Sequence, residues 1–280
     1  MAIKASVIFT TYNQPEWLRK VLWGYECQTE KDFEIVIADD GSGKETQQVV
    51  DEFKSNSSLK IKHVWHPDEG YQKCTILNKA IIASESEYLI FTDGDCIPRK
   101  DFVEVHLKFS ETGYFLSGGT LRLPIDLSRK ISFDDVKTER AFNLKWLYAN
   151  GLPKTFKSTK LLQHSWYSRF LNWITPTKAS WNGHNSSGWK KDIVAINGFN
   201  ETMLYGGQDR ELGERLINFG IKSKQIRYSA ICIHLEHGRP YKTKESILKN
   251  KAIRAEVKKK HLFWVDKGLS KHNNYNAVNR

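Results

Sequence analysis

Tyr88-Leu-Ile-Phe-Thr-Asp-Gly-Asp-Cys-Ile-Pro-Arg-Lys-Asp101 is the stretch that decides how this chain is read. A short apolar run delivers two carboxylates, Asp93 and Asp95, to its C-terminal end. In an extended chain residues i and i+2 point to the same side, roughly 6.5–7 Å apart. Carboxylates held in that way repel each other unless a cation or hydrogen-bond donors sit between them. Hard divalent ions such as Mg²⁺ or Mn²⁺ take carboxylate together with phosphate oxygens, so the pair points to a metal–diphosphate site. Asp-x-Asp is also common in turns, and the surrounding sequence has to support the sharper reading.

Working outward, strand and helix signals alternate through the first ~120 residues. Strands are expected at 5–11, 34–39, 60–65 and 88–92, with helices at 15–28, 45–54 and 73–84. Such βαβα order implies an α/β, Rossmann-like, mostly parallel sheet with helices on both faces and right-handed crossovers. Ligands bind beyond the carboxyl ends of the strands in such sheets. Thr11-Tyr12-Asn13, Asp39-Asp40 and Asp93–Asp95 then fall along one edge. Residues 125–185 lack clear periodicity and hold Trp146, Trp166, Trp173 and Trp181, with Tyr148, Phe156, Tyr167 and Phe170. Aromatic rings stack on sugar faces, although they fill cores more often.

The 280 residues suffice for one large α/β domain or two small ones, and 40% apolar with 27% charged residues is ordinary for a globular protein. No apolar stretch reaches the ~18 residues a membrane span needs. The start reads as a first strand rather than a signal peptide, and Cys27, Cys74, Cys96 and Cys232 form no Cys-x-x-Cys pair, which suits reduced thiols in a cytoplasmic protein. From Pro240 to Arg280 there are 11 Lys/Arg against 3 Asp/Glu, so this segment carries +8 of the net +11. Its apolar residues Ile247, Leu248, Ala252, Ala255 and Leu262 fall at helical spacing. A basic amphipathic helix of this kind suits either an anionic membrane face, making the chain peripheral there, or packing on the domain. No nucleic-acid module is recognisable.

Four motifs in order give the chain a family resemblance: Val7-Ile-Phe-Thr-Thr-Tyr-Asn13 with Glu34-Ile-Val-Ile-Ala-Asp-Asp-Gly-Ser42; Glu69-Gly-Tyr-Gln-Lys-Cys-Thr-Ile-Leu-Asn78; Asp93-Gly-Asp95; and Trp181-Asn-Gly-His184 through Asn197-Gly-Phe-Asn-Glu201 to Tyr205-Gly-Gly-Gln-Asp-Arg-Glu-Leu212. Together they resemble an inverting, metal-dependent nucleotide-sugar glycosyltransferase of family 2 with the GT-A fold. The last motif is similar to the galactosyltransferase-type motif of bacterial polysaccharide transferases and chondroitin-polymerase modules. The resemblance covers about residues 5–240. It implies a domain at 1–240, with a nucleotide-binding half to residue 120 and an acceptor half beyond it, followed by a basic helical extension at 241–280.

The resemblance also implies roles. Asp95 would be a direct ligand of Mn²⁺ or Mg²⁺, and Asp93 a contact to ribose or to the ion's waters. Asp39 would accept from uracil, with Thr11 and Tyr12 flanking the base and Lys73 near the nucleotide. Asp209 would be the base that takes the acceptor's proton, its other reading being a helix-capping residue. His234 and His237 are further metal-ligand candidates. A strand at 229–235 would put them on different faces if it continued, so one ligand is expected rather than two, either His234, the preferred one, or His237. Trp181–His184 would form the donor-sugar and acceptor pocket, with Gly183 letting the hexose approach the backbone; Gly118-Gly119 would either do the same or simply serve a bulge. Gln208 and Tyr205 depart from the family's usual Glu and Trp.

The expected activity is transfer of a hexose or N-acetylhexosamine from a UDP-sugar to a glycan or lipid-linked glycan, in polysaccharide, capsule or lipopolysaccharide synthesis. A nucleotidyltransferase would instead carry a Gly-rich basic loop after the first strand, where this chain has Thr10-Thr-Tyr-Asn-Gln-Pro. A non-catalytic glycan- or membrane-binding module is the third alternative, and absence of metal-dependent UDP binding would favour it.

Overall fold

The computed structural model describes residues 2–162, 165–174, 178–238 and 241–272. β1 (Ala5–Thr11), α1 (Pro15–Glu26), β2 (Phe33–Asp39), α2 (Lys44–Asn56), β3 (Lys60–Trp65), α3 (Lys73–Ala83) and β4 (Tyr88–Asp93) alternate as the sequence predicts. There follow β5 (Cys96–Pro98), α4 (Phe102–Phe109), β6 (Tyr114–Ser117), β7 (Gly119–Arg122), α5 (Ile125–Lys130), α6 (Phe133–Lys137), α7 (Leu144–Ala149) and α8 (Ser165–Ile174). The chain continues through β8 (Ser186–Trp189), α9 (Lys190–Ala195), α10 (Gln208–Asn218), β9 (Lys222–Gln225), β10 (Ile231–His234) and α11 (Lys244–Lys259).

The main sheet has the order β3-β2-β1-β4-β8-β6-β9; the first four strands are parallel, and β8 runs antiparallel to β4 and β6. A small sheet, β5-β10-β7, lies beside it. The central strands are continuous apolar runs because both of their faces are covered. Val7, Phe9, Ile35, Ile37 and Ile90 enter one core with Leu18, Val21 and Val50, while Ile8, Val36, Ala38, Leu89 and Phe91 enter the other with Ile76, Leu77 and Leu212. Strand order reverses between β1 and β4, which opens a crevice at their carboxyl ends. Register fixes what lines it, since Thr11 pairs with Asp39 and Thr10 with Asp93. The three polar clusters therefore share an edge as the alternation of elements requires.

The aromatic segment divides: Trp146 and Tyr148 pack partly buried against the core, while Phe156 and Phe170 are exposed. Trp181 is fully buried, in edge contact with Phe91 at 5.4 Å and tilted on Phe115 at 5.5 Å between ring centroids. The side chains of Trp166, Tyr167 and Trp173 lie outside those described. Gly118 and Gly119 are not openings for a sugar. A Cβ at Gly118 would fall 1.9 Å from the Asn185 amide, and one at Gly119 1.9 Å from the Arg227 carbonyl oxygen. The four cysteines are free thiols.

α11 packs on α10 instead of standing apart. Its Arg254 guanidinium donates to Glu214, and its fully buried Asn250 amide donates to the carbonyls of Leu204 and Gly206 at 2.7 and 3.0 Å. No helix among the described residues is long and apolar enough to cross a membrane.

Candidate active site

A cavity of about 600 Å³ lies over the β1–β4 crevice, lined among others by Thr11, Tyr12, Lys73, Asp93, Asp95, His184, Asp209, His234 and His237. At its floor β4 ends and the chain turns at Gly94. The Gly94 N–H donates to the Thr10 carbonyl at 2.8 Å, and a Cβ on this residue would stand 2.6 Å from that oxygen. The end of β1 thus demands glycine between the two aspartates.

Asp95 meets the end of β10. The Leu235 N–H donates to the Asp95 carbonyl at 2.8 Å, the last rung of the β5–β10 ladder, and beyond it the chain leaves the strand. The strand does not run on to residue 237, so strand alternation does not separate the two histidines, and both face Asp95, with Nε2 of His237 at 2.7 Å and of His234 at 3.7 Å from its oxygens. Nδ1 of His234 lies 2.8 Å from the Leu235 carbonyl, and Nδ1 of His237 lies 2.7 Å from the Gly238 carbonyl. A carbonyl only accepts, so in the neutral rings the protons sit on Nδ1 and the Nε2 lone pairs are turned to the cleft. Ligand atoms of Asp95, His234 and His237 all lie within 4.8 Å of one another, a donor set able to hold a divalent ion. Burial acts to raise the Asp95 carboxyl, but when the rings are protonated the His234 charge and a hydrogen bond from His237 outweigh it and hold it well below the usual range.

Asp209 enters from α10. Gly206 and Gly207 precede that helix at φ +112° and +89°, backbone that favours glycine, and Gly207 occupies the capping position. Asp209 is therefore not the cap. α10 is anchored from below by a fully buried pair in which Arg215 Nε donates to Glu211 at 2.8 Å. The remaining guanidinium nitrogens donate to the Ile196 and Gly198 carbonyls at 2.7 and 2.6 Å. Burial pushes the Asp209 carboxyl above its ordinary value; Lys73 opposes this and Asp93 adds to it. Its Oδ1 is buried without a hydrogen-bond partner. Gly183 does not open room for a sugar as expected: a Cβ there would stand 2.7 Å from the Asp209 carboxylate, which fills that space.

Lys73, in the first turn of α3, donates to Asp93 at 2.7 Å. Burial acts against its charge, but Asp93 and Asp209 raise its ammonium well above the ordinary value, so it stays protonated in the cleft. Burial lowers His184 to about 4, which keeps that ring neutral beside Asp93.

On the outer edge Tyr12 donates to Asp68 at 2.7 Å. Asp39 accepts from the Ser42 N–H and faces Nε2 of His63, each at 2.8 Å, and it does not border the cavity. Its neighbour Asp40 does, held by His66 at 2.8 Å and by the Gln72 N–H at 3.0 Å. Sequence reasoning also missed the ring cluster Tyr71, Tyr205 and Tyr241, with centroids 5.0–6.0 Å apart, and Arg122. Tyr71 lies in a quoted motif, but only tertiary packing reveals its neighbours. The same packing accounts for Gln208: it accepts from the Gly206 N–H at 2.9 Å and donates to the Tyr71 hydroxyl at 3.0 Å.

Similarity to known proteins agrees with this geometry. The chain is 25% identical over 277 residues to chondroitin synthase of Escherichia coli, covering 92% of this chain and 39% of that protein. It thus spans about two-fifths of that relative's length. An uncharacterized glycosyltransferase of Bacillus subtilis, YfnE, is 25% identical over 281 residues, covering 89% of this chain and 69% of that one. Among solved structures, S. aureus TarS 1-349 in complex with UDP-GlcNAc superposes with a TM-score of 0.61 at 15% identity, over 98% of this chain and 70% of that one. A mannosyltransferase from Pyrobaculum calidifontis, in complex with GDP-Man and Mn²⁺, gives 0.56 at 16% identity, over 86% and 59%. The fold shared with these neighbours is the GT-A fold. The model of glycosyl transferase family 2 matches residues 6–147, half of the chain, and the chain belongs to that family.

Proposed function

We propose that this protein is a metal-dependent inverting glycosyltransferase that moves a hexose or N-acetylhexosamine from a UDP-sugar to a glycan. The observation that carries the reading is one cleft holding a two-histidine, one-carboxylate cluster together with a separate carboxylate, Asp209, of raised pKa. Asp95, His234 and His237 would hold the ion, which when bound would neutralise charge growing on the leaving diphosphate. Two imidazole nitrogens in the donor set favour Mn²⁺ over Mg²⁺, since Mg²⁺ takes oxygen ligands. Lys73 supplies a fixed positive charge beside Asp93. Thr11, Tyr12 and Asp40 border the outer part of the cleft, where the nucleoside would lie, and Asp39 braces that edge through His63 and Ser42. Asp209 takes the acceptor hydroxyl's proton as that oxygen bonds to the anomeric carbon. The bond to the diphosphate breaks and its electron pair leaves on UDP.

Incubating the chain with Mn²⁺ and a panel of UDP-sugars tests this reading: release of UDP from one donor is expected, with a smaller rate in Mg²⁺. No release from any donor, together with no metal-dependent UDP binding, would overturn it. The reading includes a cytoplasmic enzyme working on lipid-linked or free glycan of a surface polysaccharide. Contact with an anionic membrane is supported by exposed Leu248, Leu262, Phe263 and Trp264 among the lysines of the C-terminal segment. Cosedimentation with anionic, and not neutral, vesicles is the expected outcome.

A further inference from the structure

Tyr71 is shared by a second cavity, of about 570 Å³, which adjoins the cleft. Cys74 and Met203, both buried, form its apolar base, and the exposed Lys249, Lys267 and Lys271 border it. None of these lysines makes an ion pair among the described residues, although Lys271 acts electrostatically on Glu201, and both acids of the lining are hydrogen-bonded. Glu201 accepts from the Asn78 amide at 2.8 Å and faces His272 Nε2 at 2.7 Å, and Glu69 accepts from Gln72 at 3.1 Å.

The lysines stand on fixed backbone. The Lys267 carbonyl accepts from the Glu201 N–H at 2.9 Å, Leu269 is fully buried, and the N–H groups of Leu269 and Ser270 donate to Asn197 at 3.0 and 2.7 Å. Gly268 lies so close to this anchor that a Cβ would fall 2.0 Å from the Asn197 carbonyl oxygen. Lys249 comes from a different element, α11, next to the doubly bonded Asn250. Two separately anchored segments thus turn unpaired cations toward one hollow, and the Tyr71–Tyr205–Tyr241 rings continue from it toward Asp209.

We propose that this cavity is an acceptor subsite for an anionic glycan, whose carboxylate or phosphate groups meet Lys249, Lys267 and Lys271 while its terminal sugar passes Tyr71 into the cleft. The proposal rests on the transferase reading of that cleft. An apolar base with a cationic border suits a sugar ring carrying an acid group, and the aromatic cluster offers the next ring a stacking face.

The test measures binding of three probes to the whole chain by calorimetry: a hexasaccharide alternating uronic acid and N-acetylhexosamine, a glycerol-phosphate oligomer, and a neutral N-acetylhexosamine hexasaccharide. At least one anionic probe should bind about tenfold more tightly than the neutral one, and which one does so identifies carboxylate or phosphate as the recognised group. The triple variant K249E/K267E/K271E should lose that preference. Each single Lys→Gln change should weaken binding about two- to fivefold, the scale of one exposed ion pair. If the triple charge reversal does not fold, the triple Lys→Gln variant supplies the comparison. UDP affinity and donor hydrolysis should be unchanged in all of these variants. Equal binding of the three probes, or an undiminished preference in the triple variant, overturns the subsite. Absence of donor hydrolysis by the wild type instead overturns the transferase reading, because probe binding is read without turnover.

Discussion

Asp95 and Asp209 are carboxylates bordering the same cleft, yet the protein treats them in opposite ways. Asp95 is met by two histidines and a cysteine thiol and is held well below the usual carboxylate range. Asp209 is desolvated, has one oxygen without a partner, and is raised. Surroundings of opposite character divide one functional group into two, as the proposed function requires: there Asp95 would be the anion that meets a cation and Asp209 the base that takes a proton.

The most damaging way to break this comparison is Asp209→Asn, which should lower turnover by about 10³-fold or more while leaving UDP affinity nearly unchanged. The same variant should melt at a higher temperature than wild type at neutral pH. A carboxyl raised above its unfolded value of 3.8 binds its proton more tightly when folded, so stability declines as pH rises through the folded value, and removing the charge recovers it. The advantage should vanish below about pH 3.8, where the wild-type group is protonated in both states. Wild-type turnover in Asp209→Asn would remove it as the base, and an unchanged melting profile would contradict its desolvation. The acid limb of the wild-type rate profile should correspondingly lie above the ordinary carboxylate value.

Next in size, Asp95→Asn should reduce turnover about 10²-fold and weaken Mn²⁺ binding measured by titration, with the fold intact by circular dichroism. An enzyme indifferent to this change would place the ion elsewhere. Smaller still is Gly183→Ala, whose methyl group must displace the Asp209 carboxylate. A loss of roughly tenfold in turnover with unaltered Mn²⁺ affinity is expected, which would separate the two ends of the cleft experimentally. Equal losses in both properties would show that they are not independent.

β1, β2 and β4 were legible because each carries an apolar run that no amphipathic helix would tolerate, and the shorter, half-exposed β3 by its place between two helical segments. Their shared edge followed from βαβ connectivity, which sets Thr11, Asp93 and Asp95 together. Of the small sheet only β10 was legible, within the strand expected at 229–235; β5 and β7 have three and four residues and no periodicity to display. The convergence of His234 and His237 was hidden because it depends on where the strand ends: pairing with β5 stops after the Leu235–Asp95 bond, and a partner strand far away in sequence sets that limit. Glycines misled in a consistent way. Gly183, Gly118 and Gly119 announce that something approaches closely, but whether it is a ligand, a carboxylate or a carbonyl depends on neighbours far away in sequence. Asp39 and Asp40 are adjacent, yet Asp39 turns to His63 and the Ser42 N–H while Asp40 turns to His66, the Gln72 N–H and the cavity, a distinction local sequence does not contain.

Asn250 has a consequence for motion. Its amide holds the carbonyls of Leu204 and Gly206, on the loop that leads into Asp209. Any displacement that widens this side of the cleft must either break both bonds in a buried setting or carry α11 along as one body. The lysine-rich helix and the loop leading into Asp209 are thereby held as one packed unit, so a change that loosens α11 is transmitted to this side of the cleft.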